Sequence, residues 1–337
     1  MKHLNNFDFL RFLFSLLVMI GHSMILSGTD DFRIEFFAAM PNYSVYSFFV
    51  ISGFLIYVSM ERLQNNRKYF VNRAKRILPA YITVVVFFAF FLYFFSSLKF
   101  QDYFSAEWWK YLGVNLIFLN FLQPCLPHVF ADNYICAVNG SLWTIKVEVL
   151  FYLFVPVLFM LIKNASLKKK NLLLLLIYVL SILYFNIISS LGKYELAKQL
   201  PGCLSYFVSG IFLYLNLDTF KKHQWFFIVP AIAIIILEKT VLHISIMFPF
   251  SLAVVIIAFA YSKRIPLSGF AKYGDISYGM YLLHFPIIQI FVQQGWYSQF
   301  GVPAVILSYA VVIGVSYISW HCIEKPFLKK KFIRKPV

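Results

Sequence analysis

Charge is what this sequence has least of. Only 13% of its 337 residues are charged, and the acidic ones are scarcest, 14 against 30 lysines and arginines. A soluble domain carries about a quarter charged residues, so that class is excluded at once. The chain has no proline-, glycine- or serine-rich linker, no low-complexity segment and no fixed-period repeat. A string of domains and a solenoid are therefore excluded too. Cysteine is rare: four residues, at 125, 136, 203 and 322, with no CxxC pair and no zinc-ligand spacing. No metal site is expected.

Apolar residues fill the space that charge leaves. The chain is 61% hydrophobic and 20% aromatic, with a mean hydropathy of +0.75. It reads as an all-α polytopic membrane protein. A spanning helix needs about 20 apolar residues. Ten segments qualify, with soft ends: 7–27, 43–60, 78–97, 142–163, 171–190, 200–217, 224–239, 243–262, 274–294 and 301–320. Segment 111–123 is an eleventh apolar run, but a short one. The first run is not a signal peptide, because it has no small-residue cleavage site and carries Arg11 within it.

The net charge of +16 has two readings, nucleic-acid binding or cytoplasmic loops that obey the positive-inside rule. The positions decide. With a cytoplasmic N-terminus and 111–123 not crossing, the inside holds Arg62, Arg67, Lys68, Arg73, Lys75 and Arg76, and the pairs and triplets at 168–170, 221–222, 263–264 and 329–331. The outside keeps only Arg33, Lys99, Lys110, Lys193, Lys198 and Lys239. A crossing at 111–123 would invert most of these clusters. The expectation is about ten spans, both termini cytoplasmic, and an external or re-entrant element near 111–123 in a long outer region, 98–141. Residues 1–337 are expected to form one membrane domain with no appended soluble domain and no nucleic-acid partner. Cys125 and Cys136 both fall in the outer region, where they either pair or remain free thiols.

A charge at bilayer depth costs about 2.5–3.5 kcal/mol by insertion scales, so intramembrane charges mark candidate sites. Arg11 and His22 lie in the first span. Their separation turns the helix to within about 20° of the same face and rises about 16 Å. One face thus carries a cation near the inside and a titratable base nearer the outside. The alternative is a snorkelling arginine and a packing histidine. In SLWTIKVEVLFYLF (141–154), Glu148 lies about two turns below the outer surface, at a depth like that of His22. It would orient a histidine base, or else pair locally with Lys146, although residues two apart do not face each other on a helix. The inside loop YFVNRAKRILPAY (69–81) sets Arg73 and Arg76 three apart, suited to phosphate or to ordinary anchoring. GDISYGMYLLHFPI (274–287) places Tyr281 and His284 one turn apart, where they would line a cavity. Pro286 there frees backbone carbonyls that need partners. HCIEKPF (321–327) is either a helix stop or part of a site.

Together these stretches resemble the integral-membrane acyltransferase 3 family. The resemblance runs from residue 7 to about 327. It rests on Arg11 and His22 with ten residues between them, on SFFVISGFLI (47–56), on RAKRILPAY with Arg73, Arg76 and Pro79, on SLWTIKVEVLFYL with Trp143 and Glu148, on SYGMYLLHFP, and on IEKPF. The family pattern has Trp-Ser-Leu where this chain has Ser-Leu-Trp, and it does not lead one to expect Lys146. Some members carry a fused hydrolase-like domain of the SGNH type, for which this chain has no room.

The resemblance implies transfer of an acyl group, usually acetyl, from cytosolic acyl-CoA to a hydroxyl of an extracytoplasmic glycan. No permanently bound cofactor is implied, only acetyl-CoA as donor substrate. His22 would be the catalytic base or a transient acyl carrier, Glu148 its orienting group, and Arg11, Arg73 and Arg76 the donor-side cations. Trp143, Tyr281 and His284 would line the substrate pocket. The expected partners are membrane lipid and a lipid-linked or surface polysaccharide, foremost a lipopolysaccharide O-antigen, and the expected location is a bacterial inner membrane. A lipid-linked oligosaccharide flippase is the competing class, though paired halves with matching broken helices are not found. A glycan polymerase, which would concentrate its chemistry in a large outer loop, is the third.

Overall fold

Inside a bilayer no water reaches the backbone, so an apolar segment must satisfy its own N–H and C=O groups, as a helix does. The computed structural model describes residues 5–28, 34–238, 240, 246–262, 265 and 267–328. Among these residues there are helices and no strands. The helices of ten or more residues are α1 (Phe7–Leu26), α2 (Glu35–Leu63), α3 (Asn66–Phe91), α4 (Ala106–Leu116), α5 (Trp143–Ile162), α6 (Leu167–Ser190), α7 (Leu200–Leu215), α8 (Gln224–Leu237), α9 (Phe248–Ala260), α10 (Ser277–Gln293) and α11 (Val302–Ser319).

Each of the ten apolar runs overlaps a helix, and among the described residues six helical stretches are long and apolar enough to cross a membrane: Phe7–Leu26, Glu35–Leu63, Asn66–Phe95, Gly140–Ile162, Leu167–Ser190 and Val302–Leu328. The chain is thus a multi-pass membrane protein. Helix α6 leaves Leu172, Leu176, Leu180 and Leu183 exposed, an apolar surface that lipid accepts and water does not.

Two boundaries differ from the sequence expectation. Helix α3 begins at Asn66, so the basic stretch 69–81 is helix rather than loop. Arginine, lysine and alanine are good helix formers, and they extend the helix past its apolar part. Run 111–123 divides between the end of α4 and a 3-10 turn at Asn120–Leu122. The 11 residues of α4 are too few to span. Of the basic residues used above, Arg33, Lys239, Lys263, Arg264 and 329–331 lie outside the described residues.

The chain forms two compact units. The first comprises residues 1–14, 42–69 and 147–270. Its core depends on glycine. A Cβ on Gly53 would sit 2.0 Å from the Phe207 carbonyl oxygen, and one on Gly210 would sit 2.2 Å from that of Val50. Only glycine lets α2 and α7 approach so closely, the small-residue logic of membrane helix packing. Phe151 stacks on Phe207 at 4.0 Å between ring centroids. Two polar pairs lie within it: Asn171 and Asn216 exchange amide hydrogen bonds of 3.1 and 3.0 Å, and the Tyr214 hydroxyl donates to Glu61.

The second unit comprises residues 15–41, 70–146 and 271–337. It holds the 98–141 region against α3 and α10. Tyr103 Oη and Trp108 Nε1 both donate to the Ala89 carbonyl at 2.8 Å, and Tyr81 Oη donates to that of Asn115 at 2.7 Å. Burial pushes the Tyr103 phenol above its ordinary range. Cys125 and Cys136 are joined in a disulfide, which decides between the two states left open. Gln289 of α10 donates to the carbonyls of Ile135, at 2.5 Å, and Ala137, at 2.9 Å. The loop that carries the disulfide is thereby fastened to the helix that carries His284.

Candidate functional site

The second unit contains a polar cluster built from α1, α10 and the start of α5. His22 Nδ1 lies 2.8 Å from His284 Nε2, and the two rings meet edge to edge, with centroids 5.0 Å apart and planes within 5° of each other. His284 is fully buried, at 0% exposure, whereas His22 is only partly buried. The second His284 nitrogen, Nδ1, lies 3.0 Å from the Met280 carbonyl oxygen one turn back. Ser141 Oγ lies 3.3 Å from His284 Nε2. Phe285 sets its ring edge-on to His22 at 5.3 Å.

Proline explains why the strand of chain before α5 lies there. Pro286 has no N–H, so the carbonyl of Leu282, four residues back, loses its helical partner. Asn139 Nδ2 supplies the missing donor at 2.7 Å. The Asn139 side chain then accepts from the Ser141 backbone N–H at 3.2 Å and so starts the turn that leads into α5. Thr144 Oγ1 donates to the Ser141 carbonyl at 2.9 Å and meets Tyr281 Oη at 2.6 Å. On the α1 side, Ser23 Oγ and Tyr309 Oη are 2.5 Å apart, fixing the helix turn that carries His22.

A second cluster sits around Asp275, just before α10. Arg76 is held by Asp275 at 2.6 Å, and Ser277 Oγ donates to the other carboxylate oxygen of Asp275 at 2.5 Å. The Arg76 guanidinium also lies over the Trp320 ring, 5.9 Å from its centroid. Glu324, 2% exposed, interacts electrostatically with both Arg76 and Asp275. Three stretches singled out in the sequence, RAKR, GDISYG and IEKPF, therefore converge on one guanidinium.

The remaining sequence candidates fall as follows. Tyr281 and His284 are neighbours, with ring centroids 5.9 Å apart. Trp143 is the first residue of α5 and is partly buried. Arg73 shares the first turns of α3 with Arg76. In the first unit, Arg11 pairs with Asp8 at 3.1 Å, and Glu148 accepts from Tyr152 Oη at 2.6 Å. The side chain on His22 Nδ1 is His284, where the sequence pointed to Glu148. Asn139, Ser141, Thr144 and Asp275 were not singled out from sequence. Pro286 was the available signal for Asn139, since an orphaned carbonyl requires a donor. Among the described residues, no group of three or more histidine, cysteine or carboxylate side chains is placed to hold a metal.

Hydrogen-bonded imidazoles, one buried and one partly exposed, suit proton transfer at a hydroxyl. A family model described as an acyltransferase domain matches residues 4–321. The chain belongs to this acyltransferase family. It is 24% identical over 340 residues to an O-acetyl transferase of Shigella phage Sf6, covering 97% of this chain and 96% of that protein. It is 25% identical over 360 residues to Nodulation protein 10 of Rhizobium leguminosarum bv. viciae, covering 97% and 94%. No solved structure matches the chain.

Proposed function

We propose that this acyltransferase is an O-acetyltransferase of the bacterial inner membrane, moving acetyl from cytosolic acetyl-CoA to a hydroxyl of a lipid-linked or surface glycan, foremost a lipopolysaccharide O-antigen. The observation that carries the reading is the His22–His284 pair in a chain of this family. The name of the phage relative, which it matches nearly end to end, supports O-acetylation. In this proposal residues 1–337 act as one domain of about ten spans with both ends cytoplasmic. The Cys125–Cys136 disulfide supports an outer, oxidising position for 98–141.

His22 takes the proton from the acceptor hydroxyl as that oxygen attacks the thioester carbonyl. The C–S bond then breaks, and the proton passes to the departing sulfur, releasing the coenzyme as a thiol. Arg73 and Arg76 hold the donor's phosphates, with Asp275 fixing the plane of the Arg76 fork. Arg11 serves the donor side, Glu148 remains a catalytic residue, and Trp143 and Tyr281 line the acceptor pocket. An apolar cavity of about 410 Å³ lined by Phe87, Phe91, Leu283, Ile287, Val311 and Val315 would take the hydrocarbon of membrane lipid or of a lipid-linked acceptor.

The test is NMR of surface polysaccharide from cells expressing wild type or His22→Ala at matched membrane levels. Acetyl signal is expected with wild type and none with the variant. Equal signal from both would remove His22 from the chemistry. Purified protein should also release free thiol from acetyl-CoA, which neither a flippase nor a polymerase would do.

A further inference from the structure

We infer that His284 is a positioning residue that holds His22 in the Nδ1–H tautomer and so leaves His22 Nε2 as the reacting base; this rests on the acetyl-transfer reading above. The argument follows the protons. The Met280 carbonyl can only accept, so His284 Nδ1, 3.0 Å away, carries a hydrogen. His284 is 0% exposed. Its described neighbours are the backbone of Met280 and Tyr281, the Ser141 hydroxyl, His22 and the rings of Tyr281 and Phe285, none of them an anion. A second proton would bury an uncompensated cation, so the ring is neutral and Nε2 offers a lone pair.

His22 Nδ1 stands 2.8 Å from that lone pair. Two lone pairs at this distance would repel, so His22 Nδ1 bears the hydrogen. Neutral His22 then has its lone pair on Nε2. An imidazole free in water prefers the opposite tautomer, so the partner reverses the default. Ser141 Oγ, 3.3 Å from the same His284 nitrogen, is compatible with this direction as a second, longer donor to that lone pair. Ser141 is held in turn by Asn139, and Asn139 by the carbonyl that Pro286 leaves unpaired. The proline in α10 and the base in α1 are thus two ends of one hydrogen-bonded series.

During transfer, the acceptor oxygen forms its bond to the acyl carbon as its proton moves to His22 Nε2. The resulting imidazolium keeps its Nδ1–H on His284, which stabilises it without moving. When the C–S bond breaks, the Nε2 proton goes to the sulfur and both rings return to their starting state. His284 touches no reacting atom.

Two substitutions separate this role from packing. His284→Gln sets a carbonyl oxygen near the place of Nε2 and preserves an acceptor. His284→Phe fills the volume and offers none. In purified full-length protein assayed by thiol release from acetyl-CoA, with membranes bearing the host polysaccharide as acceptor, His284→Phe should lose about 100-fold in kcat with KM for acetyl-CoA unchanged. His284→Gln should stay within about tenfold of wild type. In ¹⁵N-histidine-labelled protein, the His22 signal, assigned by its loss in His22→Gln, should show the proton on Nδ1 in wild type and His284→Gln, and on Nε2 in His284→Phe. Equal rates for the Phe and Gln variants, or a wild-type His22 protonated on Nε2, would overturn the assignment. If wild type releases no thiol, the transfer reading fails, and the NMR result still decides the direction of the hydrogen bond. If His284→Phe does not fold, the wild-type and Gln spectra decide it.

Discussion

The two ends of one stretch of chain, Asp275 and His284, are solved by opposite physics. At Asp275, formal charges face one another, a guanidinium and a carboxylate, with the Glu324 carboxyl and an indole ring beside them. At His284, about 14 Å further along if the chain were helical throughout, no formal charge is present, and every described contact is a directional hydrogen bond or a ring edge. An ion pair is strong but forgiving of geometry. A neutral imidazole pair is weak but dictates which atom bears each hydrogen. The first arrangement suits holding, of a helix or of a phosphate. The second suits proton transfer, where a hydrogen on the wrong nitrogen is a lost reaction.

The widest expected gap between the two ends is in rate. His22→Ala should abolish transfer, a loss of about 1,000-fold or more, with little change in thermal midpoint. Arg76→Gln should do the reverse, weakening the fold and raising KM for acetyl-CoA while kcat survives. A fall in kcat for Arg76→Gln as large as that for His22→Ala would erase the distinction. Next comes the ion pair itself, mostly but not fully buried, with side-chain exposures of 23% and 13%. Asp275→Asn should cost about 2 kcal/mol, between the figures for exposed and buried pairs. A double-mutant cycle with Arg76→Gln, read by thermal unfolding in detergent, should show coupling, and simple additivity would deny the contact any energy.

Asn139→Ala sharpens the comparison from the neutral end. It leaves the Leu282 carbonyl unpaired and should cost about 1–2 kcal/mol, with a smaller fall in transfer than His284→Phe. The smallest effect should come from Lys146, whose ammonium lies 4.6 Å from the centre of the Phe121 ring and belongs to neither cluster. Lys146→Met should shift stability by about 0.5 kcal/mol and leave transfer intact. A large loss of transfer would move Lys146 into the site.

Much of this is legible in the sequence. Long apolar runs have one way to satisfy their backbone in lipid, so the helices follow from composition. Helix α3 started early because its basic turns favour a helix as strongly as its apolar ones, and hydropathy does not register that. His22 stands out because polar groups at membrane depth are costly, Tyr281 and His284 because they lie one turn apart, and Arg76 because Arg73 lies three residues before it. Their partners do not stand out. Nothing in the spacing of residues 22 and 284 says that the two rings will share a hydrogen bond. Glu148 was assigned to orient His22 because a carboxylate is the expected partner of a catalytic histidine. The structure gives Glu148 a tyrosine one turn along its own helix and gives His22 a second imidazole. Asn139 and Ser141 are small polar residues of a kind found at many helix starts, and only the unpaired carbonyl in α10 tells them apart.

The Cys125–Cys136 bond, 11 residues apart, has a consequence for how the protein is made. Closing so short a loop contributes about 3 kcal/mol by chain-entropy reckoning, but its larger effect concerns timing. In the proposed topology the two thiols meet an oxidant only after α3 has delivered the 98–141 region across the bilayer. The same loop is fastened to α10 through Gln289, and α10 leaves the ribosome much later. For that interval the two thiols can pair before the helix that holds their loop is in place, so the order of oxidation and of α10 docking is set by the rates of pairing and of synthesis.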